Sequence, residues 1–594
     1  MTVRETQAHF VRRRLKVASV VFVALSLLVP SSTLATPPAT TPPHAVDVQL
    51  LAINDFHGNL EPPGGSGGRV GVAANDQACT DAGPATCVLA GGVAYLADDI
   101  KDLEATNPNT VVVSAGDNIG ATPLLSAAFH DEPTIEALNM LGLDVSAVGN
   151  HEFDEGVDEL LRIQNGGCHP TDGCDTGHIY QGADFQFLAA NVVYKDSAEP
   201  IFPAYAIEHL GGVKVGFIGL TLEGTPDIVS AGGIADVNFL DEATTINAAA
   251  SELRNQGVKT IIVLLHQGGV QSVPISPTAI NTCVNISGAI VDIVHNLAPT
   301  VDMVITGHTH NAYNCTLPNS AESLIPVTSA ASFGRLVTDI DLRINSRSGR
   351  PMSIAVNNRI VFRDDQDAGE AALVSTYKTA VAPIANTVVG SITADITNTN
   401  NTAGESALGD VIADAQRAYT QGSGAQFAFM NPGGIRTSLI YGAISGGELP
   451  GEVTFGEAFA VQPFNNLVVT QDMTGDQIKT VLEQSFKGCF NRTQDTVILQ
   501  VSAEFHYSYN DSLACGSRIT SMTLNGTSLD PNTTYRVTMN NFLADGGDSF
   551  PGFRAGTNRV NQVGFDVDAL AQYLGAHTPP GVAPGPQDRI MKVN

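Results

Sequence analysis

Basic residues are scarce in this 594-residue chain: 30 Lys and Arg stand against 60 Asp and Glu, a formal charge of −30. A surface that acidic repels polyanions and anionic membranes, which argues against a nucleic-acid polymer as partner. A small phosphate ester is admissible only where cations line the site. Tryptophan is absent, and so is any Cys-x-x-Cys spacing. The second absence removes the usual signature of a thiolate metal site. Beyond the N-terminus no apolar run is long enough to cross a bilayer, so stable membrane insertion is not expected. Abundant glycine and proline, 58 and 31 residues, disfavour a helical bundle. The length is too great for one core and predicts at least two domains.

The N-terminus carries a basic cluster, Arg12, Arg13, Arg14 and Lys16, then the apolar stretch "VASVVFVALSLLV", then "PSSTLA". This order predicts an export signal over 1–35, cut after Ala35; the adjacent arginines also permit a twin-arginine route. Residues 1–35 hold five basic residues and one acidic residue, so their removal leaves about −34. Residues 36–46, rich in Pro and Thr, read as a flexible leader. All eight cysteines follow the signal in near pairs: Cys79 with Cys87, Cys168 with Cys174, Cys283 with Cys315, Cys489 with Cys515. An even count in an exported chain predicts disulfides and a secreted or cell-wall location. Proximity alone suggests the pairing.

From Val46 onward one pattern recurs. A short apolar run ends in a polar cluster: "VQLLAINDFHGN", "TVVVSAGDN", "VSAVGNHEFD", "KTIIVLLHQGG", "VDMVITGHTH". Such runs read as buried strands, with helical patterns such as "GGVAYLADDIKDLEA" between some of them. An α/β layered domain with a polar rim at its strand ends is expected. The pattern breaks over 343–365, and "AGEAALVSTYKTAVAPIANTVV" then reads as a helix. A first domain at 47–365, a linker helix at 366–388 and a second domain at 389–594 follow.

The clusters place Asp55 and His57, Asp117, Asn150 with His151 and Asp154, His266, and His308 with His310 behind successive strands. Imidazole, carboxylate and amide suit borderline and hard divalent metals. Seven candidate ligands exceed what one tetrahedral ion needs and suit two ions sharing a carboxylate. Such a pair can clamp both oxygens of a phosphoryl displacement.

The ordered set D-x-H, G-D-N, G-N-H-E-F-D, a lone His and G-H-x-H resembles the calcineurin-like metallophosphoesterases. The later segments "ESALGD", "NPGGIR", "PFNN" and "NFLADGGDSF" are similar to the C-terminal domain of secreted bacterial 5′-nucleotidases. The resemblance implies an α/β (α+β) fold in two domains: an N-terminal layered β-sandwich with flanking helices, and a C-terminal α/β substrate-binding domain. It implies that Asp55, His57 and His310 hold one divalent metal ion, that Asn150, His266 and His308 hold the other, and that Asp117 bridges. Some relatives carry Gln or Asn where this chain has His310, and the metal stays open between zinc, manganese and similar ions. A hydroxide between the ions would attack phosphorus, with His151 stabilising the developing charge and Asp154 orienting its ring. Glu152 is expected to be structural.

For the second domain the resemblance implies contacts of Asn431, Gly433 and Arg436 with nucleoside or phosphate. Phe464 and Phe542 would sandwich the base, and Asp548 would bind ribose hydroxyls. Relatives often carry arginine before the segment matching "ESALGD"; here the stretch is "TNTNNTAGES", without a basic residue. The expected substrate is a small-molecule nucleotide, hydrolysed as by a 5′-nucleotidase. A 2′,3′-cyclic nucleotide phosphodiesterase or UDP-sugar hydrolase is the alternative, and a non-enzymatic surface binding protein a more distant one. Oligomeric state is not legible.

Overall fold

Two six-stranded sheets form the heart of the first half. In one the order is Pro351–Ile360, Leu336–Asn345, Ala45–Ile53, Thr110–Ser114, Val145–Ala147, Gln186–Leu188. In the other it is Ala312–Pro318, Leu324–Ala330, Met303–Thr306, Thr260–His266, Val213–Thr221, Tyr205–Leu210. The computed structural model describes residues 44–593 except 74–75, 175–176 and 493–494. The expected signal and most of the expected leader lie outside the described residues.

The sheets pack face to face through side chains of both, among them Leu50, Val113, Phe217, Ile262, Leu264 and Ile305. Residues such as "TIIVLLH" at Thr260–His266 are buried throughout, as parallel strands covered on both faces require. Burying each such Leu, Ile or Phe is worth roughly 1.5–3 kcal/mol. Helices cover the outer faces. Leu96 and Ile135 pack over the first sheet, while Ile246, Leu253 and Val294 pack over the second. This is the layered sandwich with flanking helices that the sequence predicts.

Two details differ from expectation. Ala45 and Val46 pair with Asn345 and Ile344, so the first strand begins inside the expected leader. Part of the stretch over 343–365, where the strand pattern breaks, is the edge strand Pro351–Ile360 of an antiparallel hairpin. Its residues are mostly exposed or half-buried, so it lacks the continuous apolar run of a central strand.

The helix Ala368–Ala385 starts at an Asp367 cap that accepts from the Glu370 N–H at 2.9 Å. Tyr377 and Val381 on it belong to one apolar cluster that joins Leu96 and Ile135 of the first half to Leu408, Ile412 and Leu570 of the second. The second half is built on a five-stranded sheet ordered Gln500–Val501, Phe427–Met430, Thr534–Asn540, Leu467–Thr474, Thr557–Phe565. Helices Ala407–Tyr419 and Asp566–Ala576 cover one face. Phe427, Phe429, Phe505 and Phe550 fill the other. All eight cysteines are paired, in the four near pairs expected. No helix among the described residues is long and apolar enough to cross a membrane.

Candidate active site

Four strands of the first sheet run parallel, as do four of the second. Their carboxyl ends therefore share one rim, and the residues just past those ends meet there. Asp117 lies at the centre. Its Oδ2 is 3.0 Å from His266 Nε2 and 3.5 Å from His57 Nε2. Asp55 Oδ1 is 3.5 Å from His310 Nε2, and His57 Nε2 is 3.2 Å from His310 Nε2. Asn150 Oδ1 lies 2.9 Å from His308 Nδ1. Two overlapping donor groups result, Asp55 with His57 and His310, and Asp55 with Asp117 and His266. The sequence-predicted set is thus brought together whole.

Backbone carbonyls fix the ring chemistry. His57 Nδ1 donates to the Gly120 carbonyl at 2.8 Å, and His266 Nδ1 donates to the Ala115 carbonyl at 2.8 Å. Each ring therefore presents Nε2 to the rim, the tautomer a metal ligand needs. Asp117 Oδ2 stands 3.0 Å from His266 Nε2, and the Nε2 atoms of His57 and His310 converge to 3.2 Å, so three imidazole nitrogens gather around one carboxylate. The donor set fits a pair of divalent cations of borderline softness.

Burial pushes His57 and His308 down to about 3 and holds His310 well below its ordinary value, so these rings are neutral. Burial also acts against a proton on His266, but the Asp117 and Asp55 carboxylates override it and take it up to about 9. A proton there stands where a cation would. Five of the seven candidate ligands adopt left-handed backbone: Asp55 (φ 49°), His57 (φ 47°), Asp117 (φ 53°), His308 (φ 71°) and His310 (φ 54°). Such conformations cost of order 1–3 kcal/mol each and persist where surrounding structure imposes them. Here they turn consecutive side chains back toward one point. Gly149 has a related purpose, since a Cβ there would collide with the Asp117 carboxylate.

His151 stands beside the donors, its Nδ1 2.8 Å from Asp154 Oδ2. Burial opposes its proton, yet Asp154 and Asp117 outweigh it and raise the ring above an ordinary imidazole. The Asp154 partner fixes the tautomer, leaving Nε2 for the cleft.

Both halves line a cleft of about 1330 Å³ that contains Asp117, Asn150, His151, His308 and His310 on one side and Asn431, Gly433, Arg436, Phe464, Phe542 and Asp548 on the other. Phe464 stacks on His151 with ring centroids 5.7 Å apart and an interplanar angle of 21°. The Arg436 guanidinium lies 5.7 Å from the centre of the same ring. Its positive charge reaches His57 and His151 and opposes their protonation. Asn431 donates to Asp548 at 2.7 Å and accepts from Asn540 at 2.9 Å. Phe542 packs over Gly547, where a Cβ would meet its ring.

Residues 48–312 match the calcineurin-like phosphoesterase family, and residues 383–555 match the 5′-nucleotidase C-terminal domain. The chain belongs to the 5′-nucleotidase family. It is similar to cell wall protein Lmo0130 of Listeria monocytogenes, 32% identical over 570 residues that cover 89% of this chain and 67% of that protein. It is also similar to endonuclease YhcR of Bacillus subtilis, 30% identical over 511 residues, 85% of this chain but only 38% of that one. Among solved structures, the 5′-nucleotidase precursor from Thermus thermophilus superimposes with a TM-score of 0.71 at 25% identity, covering 92% of this chain and 100% of that one. The family is one of metal-dependent phosphoester hydrolases.

Two residues that shape the site, Asn54 and Arg492, escape a sequence reading. Asn54 donates to Asp55 Oδ2 at 2.5 Å and to the Ala331 carbonyl at 2.7 Å, and accepts from Ala330 N–H at 2.7 Å. It locks the carboxylate in place. Glu152, expected to be structural, accepts from the backbone N–H groups of Asp117, Asn118 and Gly149 at 2.9, 2.8 and 2.5 Å. It pins two rim loops together. Arg492 donates to the Asp548 carbonyl at 2.7 Å. The polar residue at a strand end, as in "AINDF", is the one local signal for Asn54; nothing local marks Arg492.

Proposed function

We propose that this protein is a secreted nucleotide phosphohydrolase that releases phosphate from nucleoside 5′-monophosphates. The stack of Phe464 on His151 carries the reading, because it sets an aromatic ring from the second half directly beside the candidate catalytic pair. Asp55, His57 and His310 would hold one divalent ion, Asn150, His266 and His308 the other, with Asp117 between them. When bound, such a pair supplies positive charge at the phosphate and acidifies a water for attack. His151, whose proton Asp154 and Asp117 favour against burial, directs its Nε2 at the phosphoryl oxygens and stabilises charge developing there. Arg436 offers a guanidinium fork to the same oxygens. Phe464 and Phe542 line the cleft without a ring contact between them among the described residues, and a base would stack in the space they share. Asp548, held by Asn431, is set for ribose hydroxyls. Four disulfides support an oxidising, extracellular location. The charge of −30 disfavours a nucleic-acid polymer.

Among the described cleft-lining residues Arg436 is the one basic side chain contributed by the second half. With Arg335 and Lys378 the other Arg or Lys side chains of the cleft, a single guanidinium from the second half binds a terminal phosphate less selectively than a cluster there would, which favours nucleotide sugars and 2′,3′-cyclic nucleotides as the second reading. Phosphate release from AMP, UDP-glucose and 2′,3′-cyclic AMP at equal concentrations decides between them. AMP is expected to give the highest kcat/KM; a preference for either of the others replaces the first reading with the second.

A further inference from the structure

Outside the cleft, four segments converge on a second polar cluster. His130 lies before the helix Glu132–Leu141, Glu155 follows the His151–Asp154 pair, Glu159 sits on the helix Val157–Asn165, and His169 lies in the Cys168–Cys174 loop. One donor atom from each of these four lies within 4.8 Å of all the others. None of the four lines the catalytic cleft. We propose that His130, His169, Glu155 and Glu159 form an auxiliary divalent-metal site that ties the Cys168–Cys174 loop to the backbone carrying His151 and Asp154.

Charge is the first reason. The two imidazoles stack with centroids 3.7 Å apart and planes 13° apart, an arrangement that two imidazolium cations would resist. Among the described residues three carboxylates surround them. Glu155 is 3.3 Å from His130 Nδ1, and Asp172 is 3.0 Å from His130 Nε2 and 3.2 Å from His169 Nδ1. Glu159 is the third, and its partner Arg162 is shared with Glu132. The hydrogen bond to Glu155 takes the His130 ring up to about 9, so these carboxylates already draw one positive charge to this point, a proton that a divalent ion would displace. The contacts at 3.0–3.3 Å are also long for charge-assisted hydrogen bonds, which settle near 2.7–2.9 Å.

Donor chemistry is the second reason. Two imidazoles with two carboxylates match borderline ions such as zinc, whereas magnesium and calcium take oxygen ligands. Closing the donors onto bonds of about 2.0–2.2 Å needs side-chain rotations that take the two rings out of their parallel stack, because an imidazole donates in its own plane. The Glu155 side chain is 49% exposed and free to follow them, while the disulfide holds the loop bearing His169. The site would also brace the catalytic rim. Glu155 is covalently next to Asp154, and Asp131, next to His130, accepts from the N–H of Gly120, whose carbonyl holds His57.

The test counts ions and does not depend on what the cleft hydrolyses. Full-length protein is stripped with chelator, reloaded with zinc chloride, desalted and analysed by mass spectrometry for zinc per chain. The wild type is expected to retain one ion more than the His130→Ala/His169→Ala double variant, however many the cleft holds. Equal zinc content in the two overturns the site and leaves the cluster as ion pairs only. If circular dichroism shows the double variant misfolded, His169→Gln replaces it, read by equilibrium dialysis at limiting zinc. A folded His169→Gln protein that binds as much zinc as wild type overturns the proposal equally.

Discussion

The first half of the molecule fixes its polar groups on the ends of buried parallel strands; the second half presents its groups from loops. Asp55, His57, Asp117 and His266 are almost completely buried and held by backbone partners, and Asn150, equally buried, meets the His308 ring. Arg436 and Phe464 keep solvent access, and Phe464 stacks on His151 of the first half with the Arg436 guanidinium of its own half beside the ring. On the proposed function the difference separates two tasks. Charge stabilisation at phosphorus tolerates little displacement, so its donors sit where backbone and core leave no freedom. Recognition of a base by stacking tolerates more, because any base offers a π face.

That contrast can be broken, and the largest effect is expected at its centre. Asp117→Ala removes the carboxylate shared by His57 and His266 and should abolish phosphate release from AMP together with bound metal. Substantial activity in a variant that has lost one ion counts against a shared ligand. Next comes His151→Ala, which should lower kcat by roughly 10²–10⁴ while metal content stays unchanged, the scale of one electrostatic or acid–base group. Loss of metal along with rate makes His151 a ligand instead.

Smaller and substrate-dependent effects belong to the loops. Phe464→Ala and Phe542→Ala should each weaken AMP hydrolysis by about 1–3 kcal/mol in kcat/KM, the worth of one stacked base. p-Nitrophenyl phosphate, which has no base, should be spared. Equal losses on both substrates assign these rings to folding and erase the division of tasks.

The smallest effect concerns the seam between the halves. Glu370, on the linking helix, is fully buried with both carboxylate oxygens unpartnered, and burial raises it from 4.5 to about 8. A carboxyl that binds its proton more tightly folded than unfolded supports the fold below pH 4.5. That support is lost as pH rises through about 8. Glu370→Gln should therefore raise the melting temperature at pH 8, leave it nearly unchanged at pH 4, and leave AMP turnover intact. A gain equal at both pH values points to hydrogen bonding rather than to ionisation.

Much of this protein is local in origin. Each rim cluster follows its own apolar run, so "VSAVGNHEFD" announces both a strand and the groups at its end without reference to the rest of the chain. The near-paired cysteines are local in the same sense, since their bridges span 6 to 32 residues. The edge strand Pro351–Ile360 escapes because an exposed antiparallel strand needs no apolar run. Only the tertiary structure decides which nitrogen of each ring faces the rim, because the carbonyls that fix His57 and His266 come from 63 and 151 residues away. The same holds for Phe464 on His151 and for His130 against His169. A side chain's type and its neighbours along the chain set what chemistry it can perform; its protonation, tautomer and aim are set by groups that approach it only when the chain is folded.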